Sequence, residues 1–71
     1  MALGHAIAYA RYEQHLSLRE LARLSGVSNG QISNIETGRV KDPSFSVVAK
    51  LAKALRLSLN RLGVEHLDAQ Q

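Results

Sequence analysis

Residues 28–38, SNGQISNIETG, hold the side chains most suited to chemistry in this chain. Ile32 and Ile35 are spaced for one side of a helix, so Gly30, Ser33, Asn34 and Thr37 project from the other, with Asn29 on the flank near the helix start. No long charged side chain stands among these outward groups. Short amides and hydroxyls both donate and accept hydrogen bonds, and this suits them to base edges. An asparagine can bridge N6 and N7 of adenine, and a serine or threonine can bond either way or touch a thymine methyl. A merely solvated helix face would favour Glu or Lys, because Asn is a poor interior helix residue. Gly30 sharpens the point: it costs a helix about 1 kcal/mol relative to Ala, and no turn accounts for it. A helix backbone pressed close to nucleic acid would.

The elements that must hold this face are legible from capping and periodicity. Leu3, Ala6, Ile7 and Ala10 give an amphipathic first helix running to about Gln14, with Tyr9 and Tyr12 as amphipathic covers, and His15-Leu16 forms a break. Ser17-Leu18-Arg19-Glu20 is a capping box that starts a second helix, expected to bury Leu18, Leu21, Ala22 and Leu24 and to end at a left-handed Gly26. Asn29-Gly30 in isolation favours a hairpin turn. However, Ser28-Asn29-Gly30-Gln31 reads as a second capping box, with Gln31 reaching back, and places both residues in the first turn of a third helix ending at Thr37-Gly38. Pro43 precedes a Ser44 cap, and Val48, Leu51, Ala52 and Leu55, thickened by Phe45 and Val47, define a fourth helix over about 45–56. Ser58 caps a short fifth helix carrying Leu59 and Leu62 up to Gly63, and residues 64–71 form a tail. No β alternation or internal repeat is present. Two short helices joined by a glycine-containing turn make a helix-turn-helix, whose second helix can lie in the major groove.

Composition narrows the alternatives. With 71 residues there is room for one small domain, no cysteine is available for disulfides or thiolate zinc sites, and the formal charge of +3 mildly favours phosphate partners. No secretory signal or membrane span fits the opening MALGHAIAYA run, which Arg11 ends, so a soluble, cytoplasmic protein is expected. His5, His15 and His66 lack the spacing of a metal site, and no cofactor is implied. Lys50, Lys53 and Arg56 are read as complements to the dipole of helix four. With no nucleophile, no metal set and little chain to enclose a substrate, an enzyme is not expected.

Arg11, L16-S-L-R-E-L-A22, G26-V-S, I32-S-N-I-E-T-G38, Pro43, L51-A-K-A-L55 and S58-x-N-x-L62 occur in this order and spacing. In these residues the chain, over 3–63, resembles the lambda-repressor and Cro type of helix-turn-helix, the XRE family. The resemblance implies an all-α, compact five-helix bundle, with a DNA-binding domain over 1–63 and a possible dimerisation segment over 64–71. It places base contacts on Asn29, Gly30, Ser33 and Asn34, with Gln31 and Thr37 beside them. Phosphate contacts fall on Ser17, Ser28, Arg39, Lys41 and Ser44, which fix register while base-edge groups specify sequence. It also pairs Arg11 with Glu36, a bridge that holds the third helix at its angle. Many relatives carry Gln where this chain has Leu18; Leu cannot contact phosphate, and Arg19 or a nearby backbone amide is expected to take that contact.

The function implied is a sequence-specific transcriptional regulator, a repressor that binds double-stranded DNA at a palindromic operator as a homodimer. Leu59, Leu62, Val64 and Leu67 are the expected dimer surface. Such a protein would be bacterial or phage-encoded and nucleoid-associated when bound. The rival is an antitoxin or other protein-interaction module of the same fold, with a toxin or other protein as partner.

Overall fold

The computed structural model describes residues 3–57. Four helices follow one another: α1 (Leu3–Glu13), α2 (Leu18–Ser25), α3 (Asn29–Glu36) and α4 (Phe45–Leu55), and no strand occurs among the described residues. The expected count of five is therefore not matched, and the segment 58–63 assigned to the fifth helix lies outside the described residues.

Serine starts three of the four helices, because an extended-backbone Ser can turn its hydroxyl onto amides that the first turn leaves without a partner. Ser17 Oγ accepts from Glu20 N at 3.0 Å, and Glu20 Oε1 accepts from Ser17 N at 2.8 Å, completing the capping box of α2. Ser28 Oγ accepts from Gln31 N at 3.1 Å and Ser44 Oγ from Val47 N at 3.2 Å. The box expected at α3 is only half made, since the Gln31 side chain does not return to the Ser28 amide. Its carboxamide is left for another use.

Glycine ends two helices. Gly26 (φ 79°) donates its amide to Ala22 O at 2.9 Å, and Gly38 takes φ 85° beyond α3. His15 (φ 57°) and Arg56 (φ 59°) perform the same left-handed turn after α1 and α4. Non-glycine residues there cost about 1–2 kcal/mol, so the packing of the two helix ends has to offset it. Gln14 Nε2 donates to Leu55 O at 2.7 Å and ties those ends together.

Ile7, Ala10, Leu21, Val27, Ile32, Ile35, Val48, Leu51, Ala52 and Leu55 form one buried cluster drawn from all four helices and the α2–α3 turn. Two expectations fail. Leu24 is exposed, because on α2 it falls beside the inward stripe of Leu18, Leu21 and Ala22. Phe45 is also exposed: it stands at the first position of α4, a turn ahead of Val48, the first residue of that helix to be buried.

The α2 cap carries a pH dependence. Hydrogen bonding from the Ser17 backbone and side chain holds the Glu20 carboxyl below its usual range. A lowered folded-state pKa contributes stability that is present above the unfolded pKa and lost as pH falls through the folded one. Glu20→Gln should therefore show a smaller drop in melting temperature between neutral and acid pH than the wild type, read by circular dichroism. An equal drop in both would remove Glu20 from the acid response.

Candidate nucleic-acid interface

The turn Gly26-Val27-Ser28 reverses the chain between α2 and α3, and Val27 plugs the core beneath it. Ile32 and Ile35, 0% and 1% exposed, anchor α3 and so fix which of its faces looks outward. Asn29, Gly30, Gln31 and Thr37 are exposed on that helix and its C-cap, whereas Ser33 and Asn34 are half-buried. The side-chain amides of Asn29, Gln31 and Asn34 make no hydrogen bond among the described residues, and no buried polar side-chain atom lacks a partner. The donors and acceptors of these three amides are thus uncommitted within the described residues.

Thr37 differs. Its hydroxyl donates to Ser33 O at 2.9 Å and leans toward Asn34 O at 3.4 Å, which commits its single donor to the helix. Only its lone pairs and methyl remain for a base.

Gly30 has open space around it: a β-carbon built there meets nothing within 4 Å. Its backbone is helical, so neither strain nor an internal neighbour accounts for glycine. Gly4, which sequence reasoning passed over, makes the contrast. A β-carbon at Gly4 would overlap the carbonyl oxygen of Ile35 and come within 3.1 Å of Glu36 O, so α1 lies backbone-to-backbone against the end of α3. The signal was available, since an isolated glycine inside a helical pattern asks for a close neighbour.

Ser17, Arg19, Ser28, Arg39, Lys41 and Ser44 are all exposed. Each serine hydroxyl accepts in its cap, which leaves its hydrogen to donate outward to an anion. The loop after α3 folds back onto it: Gly38 N donates to Ile35 O at 3.2 Å and Val40 N to Asn34 O at 3.0 Å. Arg39 and Lys41 thus flank Val40, whose amide is tied to α3. Leu18 packs against the core, as its apolar chain requires, and contributes no polar group.

The implied ion pair is present. Arg11 Nε and Nη2 donate to Glu36 Oε2 and Oε1 at 2.8 and 2.9 Å, and Nη1 donates to Leu16 O at 2.9 Å. The guanidinium carbon also lies 4.5 Å from the centroid of the Tyr12 ring. Hydrogen bonding to Glu36 raises the Arg11 pKa above its ordinary value, so the guanidinium is held all the more firmly in its charged form. The pair joins α1 to the last residue of α3 and the break before α2, and with the Gly4 approach it pins α3 at its C-terminal end.

Lys50, Lys53 and Arg56 are exposed along α4. No group of three His, Cys, Asp or Glu side chains that could hold a metal occurs among the described residues, and no helix there is long and apolar enough to cross a membrane. The expected dimer residues Leu59, Leu62, Val64 and Leu67 lie outside the described residues.

The family model described as helix-turn-helix matches residues 7–62. Among curated relatives, an uncharacterized HTH-type transcriptional regulator of Mycobacterium tuberculosis is 44% identical over 61 residues, 86% of this chain and 43% of the relative. The HTH-type transcriptional repressor RghR of Bacillus subtilis is 38% identical over 56 residues, 79% of this chain and 42% of the relative. The ImmF control region 10 kDa protein of Bacillus phage phi105 is 38% identical over 66 residues, 93% of this chain and 72% of the relative. The chain thus spans less than half the length of the first two. No solved structure gives a significant match.

Proposed function

Because this chain belongs to the helix-turn-helix family, in its XRE branch, we propose that it is a sequence-specific, double-stranded DNA-binding regulator of transcription that represses by occupying a palindromic operator as a homodimer. The observation that carries the reading is the outward face of α3: amides at Asn29, Gln31 and Asn34 without internal partners, around a glycine with nothing near it. In the complex α3 lies in the major groove. Asn29 and Asn34 read base edges together with Ser33 and Gln31, Gly30 lets the backbone approach, and Thr37 offers a methyl or a lone pair. Ser17, Arg19, Ser28, Arg39, Lys41 and Ser44 take phosphates on either side. One recognition helix covers too few base pairs for a genome search, so two copies bind half-sites about 34–36 Å apart, joined through the C-terminal apolar residues. The family is a class of DNA-binding regulators, not of enzymes.

Site selection from random duplexes tests this reading. A defined palindrome is expected, and Asn34→Ala should weaken binding to it by about 1–3 kcal/mol while relaxing the base preference at one position of each half-site. Sequence-blind, weak binding would overturn the regulator and favour the protein-interaction module instead.

Gly30 gives a second expected outcome. Gly30→Ala should raise stability by up to about 1 kcal/mol in denaturant titration, since the added methyl meets open space, and should lower affinity or shift the preferred site. An unchanged site and affinity would dismiss the close-approach role.

A further inference from the structure

The approach of α1 to α3 at Gly4 sets His5 at the rim of a groove of about 330 Å³. Leu3, Ile35 and Val40 contribute its apolar lining, and Thr37, Gly38 and Lys41 come from the recognition helix end and the following loop. His5 and Lys41 are both exposed, and neither makes an ion pair or side-chain hydrogen bond among the described residues. The one carboxylate lining the groove, Glu36, is held in the bidentate grip of Arg11, so it does not neutralise the rim. Lys41 thus supplies the rim's unneutralised charge and His5 a ring N–H donor, and a cation above an apolar, poorly polarisable lining attracts an anion more strongly than the same cation on a flat wet surface.

We propose that this groove seats a DNA phosphate, with His5 donating from α1 opposite Lys41, so that α1 supplies a backbone contact lying outside the helix-turn-helix itself. The inference rests on the DNA-binding reading above and extends it. Thr37 and Lys41 belong to both the groove and the expected DNA contacts, so the groove opens toward the strand those residues meet. The imidazole, on a short side chain fixed one residue beyond the Gly4 packing point, is held near the rim. The neighbouring stripe of Ala8, Tyr9 and Tyr12 lines a separate hollow that shares only His5, and takes no part.

The test is fluorescence-anisotropy titration of the full chain on the duplex it selects, across about 50 to 200 mM salt. His5→Lys should steepen the slope of log K against log salt by about one, as one added phosphate neutralisation would. His5→Glu should weaken binding several-fold at low salt and less at high salt, with the preferred sequence unchanged in both variants. Lys50→Gln, which shifts the net charge by the same one unit but on α4, is the control and should weaken binding much less than His5→Glu. Unchanged affinity and slope in both His5 variants would overturn the phosphate seat while leaving the recognition face intact. The same holds if Lys50→Gln weakens binding as much as His5→Glu, since the effect would then be net charge alone. A wild-type chain with no sequence preference would remove the underlying reading together with this extension.

Discussion

Arg11→Ala is expected to lower the unfolding free energy by about 3–5 kcal/mol, because it strands the Glu36 carboxylate and the Leu16 carbonyl in a nearly closed site. Arg11 is only 7% exposed, and the Glu36 side chain is 10% exposed. Pairs at the surface are worth at most about 1 kcal/mol, so burial decides the magnitude. Whole domains are stable by only about 5–15 kcal/mol, and a domain this small sits toward the low end, so the variant should be largely unfolded at moderate denaturant or temperature. The double change Arg11→Met with Glu36→Leu separates pairing from space filling. It removes both charges while keeping apolar volume, and should recover much of the loss. Denaturant titrations of the three proteins measure this, and a loss under about 1 kcal/mol in Arg11→Ala would mean the pair behaves as a solvated one. The recovered double variant should still bind DNA less well than its stability allows, since the orientation of α3 no longer has a directional clamp at its end.

The second large effect is a reversal of sign between two glycines. In an open helix interior Gly→Ala adds up to about 1 kcal/mol, which is the gain expected at Gly30. At Gly4 the same methyl runs into the Ile35 carbonyl, a backbone atom that can yield only if α1 and α3 separate. Overpacking of this kind costs about 1–3 kcal/mol, so Gly4→Ala should destabilise. It should also impair DNA binding beyond its effect on folding, because the displaced atoms belong to the recognition helix. Parallel denaturation curves and anisotropy titrations of the two alanine variants provide the measurement. A gain at Gly4 matching that at Gly30 would show that α1 does not approach α3 so closely.

Capping and periodicity were readable because they join residues three or four apart. Ser17 with Glu20, Ser28 with the Gln31 amide, and the Ile32–Ile35 pair all follow from that spacing. The same locality explains the misses. Leu24 and Phe45 are apolar and so expected inward, but Leu24 lies just off the stripe its neighbours bury, and Phe45 lies at the very start of α4, a turn ahead of its first buried residue. The returning half of the second box failed because S-x-x-Q states a capacity that the Gln31 side chain does not use. His15 and Arg56 turn left-handed without glycine, and no local signal marks them, since what holds them is the meeting of two helix ends through Gln14 and Leu55.

From the residues alone came an all-helical chain, the position of the recognition helix, its buried isoleucines and the short polar groups opposite them, all consequences of how side chains distribute around a helix. Only the tertiary structure decided why Gly4 is glycine while Gly30 has no internal reason to be, which polar groups of α3 are already engaged, and that His5 shares a groove with Lys41. Those facts arise where α1 meets α3, a contact between segments 25 residues apart at Arg11 and Glu36, and a pattern of period 3.6 carries no information about which carbonyl a distant backbone will press against.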